Sequence, residues 1–60
     1  MSIDMSSYKM IYEDMVYNCI SIMFFFRDGE IKELEVIYIS EDNRVSLIKD
    51  DTDKFQFIKK

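Results

Sequence analysis

Tyr17-Asn18-Cys19-Ile20-Ser21-Ile22-Met23-Phe24-Phe25-Phe26 runs into Arg27-Asp28-Gly29, and then into Glu30-Ile31-Lys32-Glu33-Leu34-Glu35-Val36-Ile37-Tyr38-Ile39-Ser40. Two runs rich in β-branched and aromatic residues thus flank the only glycine of the chain. Such residues pack well on a pleated surface, and an Asp-Gly step between them signals a β-hairpin. The return run alternates cleanly, with Leu34, Val36 and Tyr38 on one face and Glu33 and Glu35 on the other. The outgoing run is apolar on both faces.

The turn sets which residues meet. A two-residue Asp28-Gly29 loop taken alone places Phe24 across from Glu33 and Ile22 across from Glu35. A three-residue Arg27-Asp28-Gly29 loop, with Gly29 in the left-handed region, shifts the pairing by one. Ile22 then faces Leu34, Ile20 faces Val36 and Asn18 faces Tyr38. A slip of one residue moves a whole side-chain set to the other face, so the apolar pattern selects the three-residue loop. The expected core is Ile20, Ile22 and Phe24 with Leu34, Val36 and Tyr38.

Outside the hairpin the pattern stays β. Residues 1–7 have no clear period and read as a flexible N-terminal arm; residues 8–60 read as a single small β domain. Tyr8 to Tyr12 alternates as a short strand, followed by an open or type I turn at Glu13-Asp14. Glu41-Asp42-Asn43 is a second turn, and Arg44 to Lys49 the next strand, with Val45 and Leu47 on one side. Asp50 to Asp53 reads as an acidic turn with 3₁₀ character, and Lys54 to Ile58 as the last strand. The expected fold is all-β: a five-stranded antiparallel meander, curled into a sheet or a partly open barrel, because twisted strands bury more surface by closing. In its long central hairpin, tight turn and 3₁₀-like turn before a short last strand, this order resembles an SH3-like barrel. The resemblance is one of architecture, since the aromatic ligand-binding motif of signalling SH3 domains is absent.

Composition narrows the function classes. Sixty residues make one domain at most, and a chain of that length buries only about 60% of the surface its unfolded form exposes. Small domains compensate with disulfides, a metal or a partner subunit. One cysteine and no histidine leave the partner subunit as the expected support. The net charge of −4 is opposite to the basic footprint that nucleic-acid binding needs. The longest uncharged run, Met15 to Phe26, is too short to span a bilayer as a helix. A lone thiol and no basic leader point to the cytoplasm.

Two surfaces stand out. One is the hairpin's second face, where Cys19, Ser21, Met23 and Phe25 lie beside Ile31, Ile37 and Ile39. Adding the aromatic tip, the candidate interface is Met23, Phe25, Phe26, Ile31, Ile37 and Ile39. It is more apolar surface than two short outer strands cover, and exposed apolar patches mark interaction sites. The other is an acidic rim of Glu33, Glu35, Asp50, Asp51 and Asp53. As a solvated surface it keeps a sticky small protein soluble; as a site it would mimic nucleic-acid phosphates. Its spacing lacks the Asp-x-Asp-x-Asp-Gly pattern of a calcium loop, so no metal ligands are assigned. Cys19 has no histidine to activate it and reads as a buried thiol. No catalytic or cofactor-binding residues are assigned, because general acid–base work most often uses histidine and 60 residues hardly enclose a pocket.

The expected function is that of a small acidic protein–protein interaction module, homodimeric, that binds and modulates a larger cytoplasmic protein. In size and acidity it resembles the inhibitors that phages and mobile elements direct against host nucleases, helicases and defence complexes. Two other classes compete with it: an SH3- or OB-like nucleic-acid-binding barrel, and a purely structural assembly subunit.

Overall fold

The computed structural model describes residues 2–60, and its strands are β1 (Ser2–Asp4), β2 (Tyr8–Tyr12), β3 (Met15–Arg27), β4 (Glu30–Ile39), β5 (Val45–Asp51) and β6 (Phe55–Lys59). All pairings are antiparallel, in the order β5-β4-β3-β2-β6, with β1 beside the far half of β3. The sheet curls without closing, and a 3₁₀ turn at Thr52–Lys54 leads into β6. The all-β class, the long central hairpin and the 3₁₀ turn before a short last strand follow the sequence reading. Among the described residues no helix is long and apolar enough to cross a membrane.

The extra strand comes from the segment expected to be an arm. Ser2, Ile3 and Asp4 pair with Met23, Ile22 and Ser21. Asp4 Oδ1 accepts from Ser6 N at 2.9 Å and Tyr8 N donates to Met5 O at 2.9 Å, folding the chain from β1 into β2. Met1 lies outside the described residues.

The central hairpin differs from the expected pairing at three points. Its loop has two residues, Asp28 at φ 54° and Gly29 at φ 79°, closed by Arg27 opposite Glu30. Positive φ at both positions matches the right-handed twist of the flanking strands, which a type I turn would splay. Phe26 then meets Ile31, and Lys32 is an extra residue that restores the apolar alignment, so that Phe24 faces Leu34 and Ile22 faces Val36. The three-residue loop is therefore corrected to a two-residue turn followed by a bulge. A second bulge at Ile20 makes Cys19, not the expected Asn18, the partner of Tyr38, and leaves Ile20, expected in the core opposite Val36, out of both the ladder and the buried cluster. The Ile20 carbonyl, freed from the ladder, accepts from Met5 N at 2.8 Å. The turn at Glu13-Asp14 is likewise of the left-handed kind, at φ 48° and 64°, rather than type I.

These bulges decide the core. Met10, Cys19, Ile22, Leu34, Val36 and Phe55 are buried on the concave face, with Met5, Tyr12, Tyr17, Phe24, Tyr38, Ile48 and Phe57 packed around them. Tyr12 stacks on Phe55 with ring centres 5.0 Å apart, and Tyr17 tilts against Tyr38 at 4.8 Å. Each pair joins different strands, so the rings fix the curl as well as filling it. Cys19 donates a weak bond to Ile37 O at 3.9 Å, and burial pushes its thiol above the usual cysteine range.

Candidate interaction surface

Strand register lays the convex face out in rows. Asn18, Ile39 and Val45 form one; Ser21, Ile37 and Leu47 the next; then Met23, Glu35 and Lys49; then Phe25, Glu33 and Asp51. Directly opposed side chains of neighbouring strands lie on the same face within contact distance, so each row is a physical strip across β3, β4 and β5. The first two rows are aliphatic on β4 and β5, with the polar Asn18 and Ser21 at their β3 ends, and the last two carry charge. Toward β5 the apolar rows open to solvent, with Leu47 56% and Val45 68% exposed.

Four of the six candidate interface residues share this face. Met23, Phe25, Ile37 and Ile39 are half-buried on it. Phe25 is roofed by Lys49, whose Nζ stands 4.0 Å from the ring centre. The bulge at Lys32 turns the other two away. Ile31 pairs with Phe26, and alternation along β3 sets Phe26 on the side of Phe24, so Ile31 does not lie beside Ile37 and Ile39. Phe26 and Ile31 instead cap the hairpin tip, where Phe26 is 69% exposed. Arg27 spans this tip to Glu33 at 3.2 Å, while Lys32 pairs with Glu30 at 2.8 Å. Cys19, expected on the second face, is buried on the concave one.

The acidic positions divide too. Glu33 and Asp51 are direct neighbours across β4 and β5, and Glu35 lies opposite Lys49. Asp53 sits in the 3₁₀ turn, where Asp51, Thr52 and Asp53 face Arg27, Ile31 and Lys32 across an open groove. Asp50 leaves the rim altogether. It points to the concave side and accepts from Tyr12 Oη at 2.5 Å. That bond, and a second from Asp51 N at 2.8 Å, hold its carboxyl below the usual carboxylate range. Among the described residues no three metal-ligating side chains converge.

Val45 and Leu47 complete the surface, and sequence reasoning stopped short of them. Their alternation in Val45-Ser46-Leu47-Ile48 was legible, but which face they share follows from the turn at Ser40 to Arg44. There Ser40 N bonds Arg44 O at 2.8 Å and Asn43 takes φ 63°. The short polar run Glu41-Asp42-Asn43 was the available signal for that tight turn. No family model matches the chain, and no curated protein or solved structure matches it.

Proposed function

We propose that this protein is a small acidic interaction module that associates with itself and engages a larger protein, whose activity it modulates. The observation that supports this reading best is the pair of apolar rows on the convex face, ending in the solvent-exposed Val45 and Leu47. Burying one such aliphatic side chain is worth about 1.5–3 kcal/mol, a useful gain for a domain with so small a core. Self-association follows from that need.

The hairpin tip suits the larger partner. Phe26 and Ile31 stand side by side at the end of the longest element, flanked by the Arg27–Glu33 ion pair and the carboxylates of Asp51 and Asp53. An aromatic anchor surrounded by charges is a common arrangement for a binding hot spot, because the rim excludes water and selects complementary charge. A basic groove on the partner, of the kind that receives nucleic-acid phosphates, is the matching chemistry.

Affinity purification from native cells, with the wild type and Phe26→Asp in parallel, tests the second half of the reading. A stoichiometric protein captured by the wild type and lost with Phe26→Asp supports it. Equal capture by both, or none, overturns it. A gel shift with DNA or RNA at physiological salt would transfer the function to nucleic-acid binding.

A further inference from the structure

β5 ends the sheet, so one of its backbone edges meets β4 and the other meets solvent. Which residues point outward follows from the preceding turn. Ser40 N donates to Arg44 O at 2.8 Å, and bonding alternates along an antiparallel ladder. Arg44, Ser46, Ile48 and Asp50 therefore bond toward β4, while Val45, Leu47, Lys49 and Asp51 direct their N–H and C=O groups away from it. Asp51 gives the same parity independently. Its N–H is taken by the side chain of Asp50, Oδ1 at 2.8 Å, rather than by β4. The edge left open is Val45, Leu47 and Lys49.

Sheets protect such edges with proline, bulges or charge. β5 contains no proline, its register with β4 is unbroken, its single cation, Lys49, lies over Phe25, and its two carboxylates, Asp50 and Asp51, stand at one end beyond Val45, Leu47 and Lys49. The opposite edge of the sheet is different. At β6 the Phe55 N–H already bonds Thr52 O, and Lys54, Lys59 and Lys60 crowd the strand with like charge.

We infer that β5 pairs with β5 of a second copy, antiparallel about a twofold axis at Leu47, so that one sheet continues across two chains. The inference rests on the self-association proposed above and assigns its geometry. Centred on Leu47, the pairing sets Leu47 against Leu47 and Val45 against Lys49 in both directions. Every outward N–H and C=O of those three residues then meets a partner. A register centred one residue later would call on the Asp51 N–H, which is already bonded. Charge agrees with the antiparallel sense. Arg44 stands at one end of β5 and Asp50 and Asp51 at the other, so each Arg44 arrives beside the partner's acidic end. The apolar row of Ser21, Ile37 and Leu47 becomes continuous through the axis, joining the two convex faces.

Amide hydrogen exchange of the intact protein, followed against concentration beside light-scattering mass, tests this. The mass should reach twice the 7.3 kDa of the chain. The amides of Val45, Leu47 and Lys49 should gain protection with the dimer, whereas Ser46 and Ile48, bonded to β4, are protected throughout. Leu47→Pro removes an outward donor and the side chain at the axis while leaving the donors that face β4 in place, and Leu47→Lys sets two cations face to face. Both should return the mass to that of one chain with the circular dichroism of the wild type. A dimer that survives both substitutions, with Leu47 exchanging freely, overturns the edge pairing while leaving self-association standing. A monomer at every concentration overturns both. Masses that grow beyond two chains would mean β5-to-β6 pairing and overturn it too, since that contact does not close.

Discussion

Tyr12 Oη donates to Asp50 Oδ2 at 2.5 Å, joining β2 to β5, two strands separated in the sheet by β3 and β4. The bond crosses the concave side and ties the sheet's two halves together where no ladder does. It raises the Tyr12 pKa and lowers that of Asp50, because the neutral phenol donates to the ionised carboxylate. Tyr12→Phe and Asp50→Asn should each lower the melting temperature. The double variant should lose less than the sum of the two, and a double-mutant cycle measures that coupling. Additive losses would mean the two side chains act separately.

Acid should act through the same pair. A carboxyl whose pKa is depressed on folding adds stability above its unfolded value, about 3.9, and that stability is lost as pH falls through the lower folded value. Asp50 is depressed chiefly by Tyr12, and Asp4 by the Ser6 backbone N–H. Urea melts across the acid range should show stability falling below about pH 4. Tyr12→Phe should flatten that fall, whereas Asn18→Ala, at an exposed position paired with Lys9 and Ile39 and beside neither group, should leave it intact.

Alkali works in the opposite sense. Cys19 and Tyr17 are raised chiefly by burial, and Tyr12 chiefly by its bond to Asp50. A group raised on folding contributes fully below its unfolded pKa and is lost as pH climbs toward the folded one. Stability should therefore hold to about pH 8.5, the unfolded value for cysteine, and decline above it. The thiol offers a separate readout. Buried at 2% exposure, Cys19 should react with a disulfide reagent only as fast as the fold opens, and fully once unfolded. Immediate labelling of the folded chain would contradict the burial.

Two exposed turns differ in how well their residues suit them. Glu13 and Asp14 hold positive φ without glycine, a conformation costing roughly 1–2 kcal/mol per non-glycine residue. Replacing them with Asn-Gly should stabilise the fold by about 1 kcal/mol. Gly29→Ala should destabilise by a similar amount through φ alone, since a Cβ there would touch nothing within 4 Å. Chemical denaturation of the two variants reads both signs.

Alternation and turn chemistry made the strands legible, and with them the burial of Ile22, Leu34 and Val36 and the packing of Phe24 and Tyr38 around them. What escaped were single residues that break the period. Ile20 is as apolar as its neighbours, so nothing in Cys19-Ile20-Ser21 announces that the ladder skips it. Its cause lies far along the chain, in Met5 N bonding its carbonyl and Tyr17 and Cys19 turning in to meet Met10 and Tyr38. Long-range contacts of that kind leave no local trace. The same applies to Asp50, whose acidic neighbours conceal that it alone has a tyrosine within reach, and to Ser2–Asp4, too short to show a period.

Lys32 gives the sharpest test of how register is set. It is the extra residue between Ile31 and Glu33, exposed, and its one ion pair with Glu30 is a surface contact. Lys32→Ala removes that contact and should change stability by no more than about 0.5 kcal/mol. Deleting Lys32 keeps the Asp28-Gly29 turn but removes the bulge. Lys32 has no partner in the ladder, so Phe26 would still meet Ile31, and Phe25, Phe24 and Ile22 would still meet Glu33, Leu34 and Val36. The deletion should therefore keep a cooperative melt, with Leu34 and Val36 on the concave face. Loss of the cooperative transition on deletion, with Lys32→Ala at the stability of the wild type, would mean that the extra twist and bend of the bulge, and not the pairing alone, is needed to close the sheet over its core.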